Sequence, residues 1–229
     1  MTSTTTTRDC RLLCAATCAY DITATGSFTS VLPHYPAVGW KGAPTPYFAG
    51  PDNINACLIG INQEDGIVLA FRGTLPPTNL NLPPQVRDWM QDFLAEPVAE
   101  PRSLPDGIKV HKGFWSAVDS LWPQMLHALH DLLARDPQPK LYITGHSKGG
   151  AMAAIAAARL FFQENVRAAG VYMFAAPRAG NSTFVAGFPS NVRVGRYEQY
   201  LDIVPLVPPH LHFIELLAEV PGLDDLFED

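Results

Sequence analysis

A serine held between glycines is the first place in this chain where side chains could do covalent chemistry. The stretch Gly145-His146-Ser147-Lys148-Gly149-Gly150 reads Gly-x-Ser-x-Gly. Before it stand the apolar residues Leu141, Tyr142 and Ile143; after it comes an alanine-rich run through Met152, Ile155 and Ala158. The first part predicts a short buried strand and the second a helix, joined by a turn of about four residues. Such a turn leaves no room for a side chain at Gly145 or Gly149 and strains the backbone of the residue between them. Ser147 is thereby exposed at the tip, facing the positive end of the following helix and the backbone N–H of Lys148, where a negative oxygen would be stabilised. The bland alternative is a glycine-rich turn with a serine N-cap. The strand-turn-helix context favours a nucleophile.

Other reactive side chains were weighed against this one. Cys10, Cys14 and Cys18 lie four apart on an expected helix over 9–20, with Cys57 in an expected strand. Three thiols in a row could ligate a soft metal, but with no histidine close in sequence a small apolar stripe is the better reading. No metal and no cofactor is implied. His34, His127 and His130 are poor candidates for a base, the last two falling on a long helix away from the sheet edge where the serine sits.

The elements that must position Ser147 alternate strand and helix. After the helix over 9–20 comes an irregular, Pro- and Gly-containing stretch over 28–51. Residues 57–61 and 67–71 read as strands joined by a hairpin turn at 63–66. An extended, proline-rich segment follows, with a short helical pattern at Val86, Trp89, Met90, Phe93 and Leu94 that Pro97 and Pro101 terminate. An edge strand near 108–111, a long helix over 114–135, the strand and turn at Ser147, and strands over 171–174 and 192–197 complete the order. This pattern predicts an α/β fold of the α/β-hydrolase type, a mostly parallel central sheet with helices on both faces. Ligands bind beyond the C-terminal ends of such strands, where Thr74, Ser147 and Asp202 all fall.

The 229 residues suit one large domain over 9–229, preceded by a Thr-rich tail over 1–8 expected to be disordered. With 16 basic against 22 acidic residues, a formal charge of −6 and no basic stripe, nucleic acid is not an expected partner. No apolar run reaches the length of a membrane span, and the segment over 8–20 is too short and too interrupted by Asp9 for a signal peptide. The expectation is therefore a cytoplasmic product, with secretion as the alternative. Oligomeric state is not legible.

Four stretches, taken together and in order, make the chain resemble the class 3, fungal-lipase-like branch of the α/β-hydrolases. They are Phe71-Arg72-Gly73-Thr74, Val110-His111-Lys112-Gly113-Phe114, the Gly145–Gly150 turn, and Pro177-Arg178-Ala179-Gly180-Asn181 followed by Asp202-Ile203-Val204-Pro205. The resemblance implies Ser147 as nucleophile, Asp202 as the acid that orients a histidine base, and Thr74 with the N–H of Lys148 as the oxyanion hole. Arg72, His111 and Arg178 are expected to be structural. Lys148 departs from the leucine usual in the family, which a hole built from the backbone N–H tolerates. The histidine is the larger departure: the family's comes several tens of residues after the acid, and only 27 residues follow Asp202 here. His212 and His210 are the available bases, although the family also has a non-catalytic histidine soon after its proline pair. The acidic end at Glu228-Asp229 reads as a chain cut before its last elements.

The resemblance also implies that 75–101 is a lid. Val86, Trp89, Met90, Phe93 and Leu94 would share one apolar face, able to cover the pocket in water and turn onto a lipid surface. The expected function is a serine ester hydrolase acting on acylglycerols at a lipid–water interface, a triacylglycerol lipase working through an acyl-enzyme. A short-chain carboxylesterase without interfacial activation, and an acyl-ligand binder that lacks the base, are the alternatives.

Overall fold

The computed structural model describes residues 6–23, 25–29, 33–74, 98–136, 138–199 and 204. Eight strands and five helices are assigned among them. In chain order they are α1 (Arg8–Cys18), α2 (His34–Val38), β1 (Thr45–Ala49), β2 (Asn55–Asn62), β3 (Gly66–Phe71), β4 (Val98–Ala99), β5 (Val110–His111), α3 (Lys112–Leu133), β6 (Leu141–His146), α4 (Lys148–Glu164), β7 (Gly170–Phe174), α5 (Ser182–Ala186) and β8 (Arg193–Tyr197). A six-stranded sheet runs β1-β2-β3-β6-β7-β8. The pairs β3–β6, β6–β7 and β7–β8 are parallel, while β1–β2 and β2–β3 are antiparallel. Only β2 therefore opposes the common strand direction, and the expected α/β-hydrolase-type, mostly parallel sheet is what forms.

Why the central strands read as continuous apolar runs is visible in how they divide their residues. Side chains alternate across a strand. Cys57, Ile59, Ile67, Leu69, Phe71, Leu141, Ile143, Val171 and Met173 pack on one face with α3 and α4. Their neighbours Ala56, Leu58, Val68, Ala70, Tyr142, Tyr172 and Phe174 pack on the other with α1 and the α2 region. Both faces are covered, so β3 and the core of β7 are apolar but for the buried Tyr172. In α4 every residue from Gly149 to Leu160 is buried, and its small side chains let it lie close on the sheet. On the opposite face α1 seats Leu12, Ala15 and Ala16 with no exposed surface. Leu12→Ala there would cost about 2–5 kcal/mol, because the packed surroundings cannot collapse onto the gap.

Some expectations are corrected. The tail expected over 1–8 ends earlier: the Thr7 side chain caps α1 by accepting from the Cys10 N–H, and Arg8 is already helical and bonded to Asp65. Within the stretch read as irregular lie α2 and β1. Residues 110–111 pair with β4 in a separate two-stranded sheet rather than at the edge of the main one. The cysteine row does not form a uniform stripe, since Cys10 is exposed, Cys14 half-buried and Cys18 buried.

Candidate active site

At the C-terminal end of β6 the chain turns into α4 through one residue, Ser147, whose φ of 56° and ψ of −131° are a conformation L-residues avoid. It is held there from both sides. The Ser147 N–H donates to the Phe174 carbonyl at 2.9 Å, and its own carbonyl accepts from the Gly150 N–H at 2.8 Å. Two glycines make the turn sterically feasible. A Cβ on Gly145 would lie 2.1 Å from the Gly149 carbonyl oxygen, and one on Gly149 would lie 2.4 Å from the Phe71 carbonyl oxygen. The expected strand-turn-helix thus forms with a half-buried serine at its tip. Its hydroxyl stands at the N-terminus of a 17-residue helix, where free N–H groups and the dipole favour developing negative charge.

Gly149 does a second thing. By letting α4 rest on the backbone end of β3, it brings Arg72-Gly73-Thr74 alongside the turn. The parallel register pairs Phe71 with Gly145, and a Cβ on Gly73 would lie 2.7 Å from the His146 carbonyl oxygen. Thr74 is half-buried just beyond β3. Thr74 thus follows a residue packed against the turn that carries Ser147 and Lys148. The Lys148 ammonium turns away: Nζ donates to Asn55 Oδ1 at 2.8 Å, and Asn55 Nδ2 donates in turn to Ser120 Oγ at 3.0 Å.

Behind the turn stands Tyr20, which the sequence reading missed. Its hydroxyl lies 2.9 Å from His146 Nδ1, the rings edge to face, and so close to Gly73 that a Cβ there would sit 2.0 Å from the phenol oxygen. Burial pushes the Tyr20 phenol up to about 12, so it stays protonated. One tyrosine thus ties the loop of Thr74 to the turn of Ser147. No local signal could have found it, since Tyr20 and His146 are 126 residues apart.

The remaining motif residues bond and pack within the fold. Arg72 is buried and donates to the carbonyls of Ile22 and Asn53, pinning the loops behind β3; desolvation holds its guanidinium below the usual arginine value. His111 stacks on Phe114 with ring centroids 4.2 Å apart. The Asn181 side chain accepts from the N–H groups of Lys109 and Phe184 and donates to the Gly107 carbonyl, and the His111 N–H donates to the Ala179 carbonyl at 3.0 Å, joining two of the four matching stretches. Arg178 lines a cavity of about 850 Å³ with Met173, Phe184 and Arg196; Ser147 is not among its lining residues. Asp202, His210, His212, Val86, Trp89, Met90, Phe93 and Leu94 lie outside the described residues, and of the segment 75–101 only 98–101 lies within them.

With this geometry in view, comparisons with known proteins become informative. A family model described as lipase (class 3) matches residues 68–212. The secreted mono- and diacylglycerol lipase A of Penicillium cyclopium is 31% identical over 147 residues, 64% of this chain and 44% of its own length. The lipase of Rhizomucor miehei is 29% identical over 159 residues, 68% of this chain and 41% of its own. The matched parts are thus less than half the length of these relatives. A crystal structure of a lipase from Rhizopus microsporus var. chinensis superposes with a TM-score of 0.74 at 24% identity, over 88% of this chain and 68% of that one.

Proposed function

The chain belongs to the class 3 lipase family, and from that premise we propose that it hydrolyses carboxylic esters of acylglycerols through an acyl-enzyme on Ser147. The observation that carries this reading is the backbone of Ser147: a strained, glycine-flanked serine at the N-terminus of a buried helix has no structural advantage over glycine at that position. Strain of this kind costs on the order of 1–3 kcal/mol and is kept where the side chain is needed. The hydroxyl attacks the ester carbonyl, and the N–H groups of Thr74 and Lys148 receive the oxyanion, each worth on the order of a hundredfold in rate. Loss of the alcohol leaves the acyl-enzyme, which water cleaves. Asp202 is assigned as the acid that orients the base, and His212 or His210 as the base that takes the serine proton.

Partial glycerides are the first substrates to try, because relatives are named mono- and diacylglycerol lipases. Their names also carry the word secreted, and they give the cytoplasmic expectation no support. The apolar face of Val86, Trp89, Met90, Phe93 and Leu94 serves as a lid that turns onto lipid, so hydrolysis accelerates once substrate forms droplets. The deciding experiment is fatty-acid release from emulsified diacylglycerol by the purified chain and by Ser147→Ala. Loss of at least about a thousandfold with an unchanged melting temperature is expected; turnover retained in the variant would end the assignment. Trp89→Ser should show a smaller rate jump across the solubility limit, and smooth saturation in both proteins would favour the short-chain esterase.

A further inference from the structure

We propose that Cys18, Asp21 and His34 form a binding site for a zinc-like divalent cation that fastens α1 to α2. The inference rests on no role for Ser147. One ligand atom from each of the three residues lies within 4.8 Å of the others, and His34 Nε2 is 3.0 Å from Asp21 Oδ2. Tetrahedral zinc with ordinary bond lengths puts N and O about 3.3 Å apart and sulfur about 3.6 Å from either. Side-chain adjustments of roughly an ångström therefore suffice.

The donor set is chemically selective. A thiolate and a carboxylate bring two negative charges against a divalent cation, and the mixture of sulfur, imidazole nitrogen and oxygen suits zinc over magnesium or calcium. The spacing Cys18-x2-Asp21-x12-His34 places two ligands one helical turn apart and the third on the next element, as small zinc sites do. Burial separates this group from a casual surface cluster: Cys18 has no exposed surface, and the Asp21 and His34 side chains keep only 12% and 17% of theirs. That residual opening leaves a fourth position for water.

A second observation points to the same place. The Trp40 indole N–H is buried without a hydrogen-bond partner among the described residues, and the ring packs in the same cluster as Cys18. The competing arrangement is a His34–Asp21 ion pair beside an inert apolar cysteine. A cation here would brace Tyr20, which lies between two of the ligands in the chain and reaches His146. The cysteine row expected from the sequence thus contributes one member, and the partners come from elsewhere.

Cobalt(II) titration of the chelator-stripped, untagged chain tests the site. One equivalent should bind with a thiolate-to-cobalt charge-transfer band, zinc should displace it, and zinc should raise the melting temperature by several degrees. Cys18→Ser should abolish the band, His34→Gln should weaken binding at least roughly tenfold, and Cys14→Ser should leave both intact. Absence of saturable binding up to about 100 µM metal, a band that survives Cys18→Ser, or a zinc shift undiminished in His34→Gln would each overturn the proposal. Should Cys18→Ser fail to fold, His34→Gln decides, its side chain being partly at the surface.

Discussion

The two ends of β3 are built on opposite terms. At its N-terminal end the hairpin turn into β3 is saturated with partners. Asp65 accepts from Arg8 and from both Nε and Nη2 of Arg11, while Asn62 Oδ1 accepts from the N–H groups of Glu64 and Asp65. At the C-terminal end, beside Arg72-Gly73-Thr74, the neighbouring turn holds Ser147 at positive φ and packs backbone on backbone through Gly149. One end gathers stabilising charge–charge bonds that do no chemistry. The other tolerates strain. A sheet strand can carry such an end only because the opposite one, and both buried faces, hold it rigid.

The comparison breaks most visibly at Ser147. Ser147→Gly should remove at least about a thousandfold of the activity and yet unfold at higher urea, by about 1 kcal/mol, because glycine occupies φ near 56° without strain. Lower stability in that variant would show that the serine side chain is held by contacts rather than tolerated. Next in size, Asp65→Asn should cost about 3 kcal/mol with activity per folded molecule intact. This is the low end for breaking a buried pair, since the Arg8 side chain keeps 34% of its surface in water. Gly149→Ala should follow, losing about 1–3 kcal/mol through overpacking against Phe71 and at least tenfold in rate, because Lys148 is pushed away from Thr74. Unchanged kinetics in that variant would separate the turn from the oxyanion loop.

The smallest effect is one of pH. Burial works to raise the Asp65 carboxyl, but hydrogen bonds from Arg11 and Arg8 outweigh it and hold it below its ordinary value. A depressed folded value means the stabilisation is complete above the unfolded value, about 3.9, and is lost as pH falls through the folded one. The stability gap between wild type and Asp65→Asn should therefore be flat from pH 5 to pH 8 and narrow below about pH 4. Urea midpoints measured across that range would check it.

How much of this could be read from the sequence depends on how local each signal is. The turn at Ser147 and the hairpin at 63–66 were legible because glycine spacing and apolar runs lie within a dozen residues. β1 was not: Pro46 and the surrounding glycines read as irregular, and the strand exists because it is an edge, where a missing N–H is tolerated. The row of cysteines was misjudged by geometry. A spacing of four drifts by about 40° per step on a helix of 3.6 residues per turn, so the row rotates from exposed Cys10 to buried Cys18. Tyr20, the Lys148–Asn55 bond and the Asp21–His34 pair involve partners that only tertiary packing brings together.

The contact between Tyr20 and His146 bears on how the chain is born. Helix α1, which seats Leu12, Ala15 and Ala16, leaves the ribosome well before the strands that cover it, and His146 follows Tyr20 by 126 residues. At about 5–20 residues per second that is a wait of roughly 6 to 25 seconds. Throughout it the seat of an apolar helix is incomplete, open to chaperones or to another nascent chain, and Tyr20 has no His146 to meet.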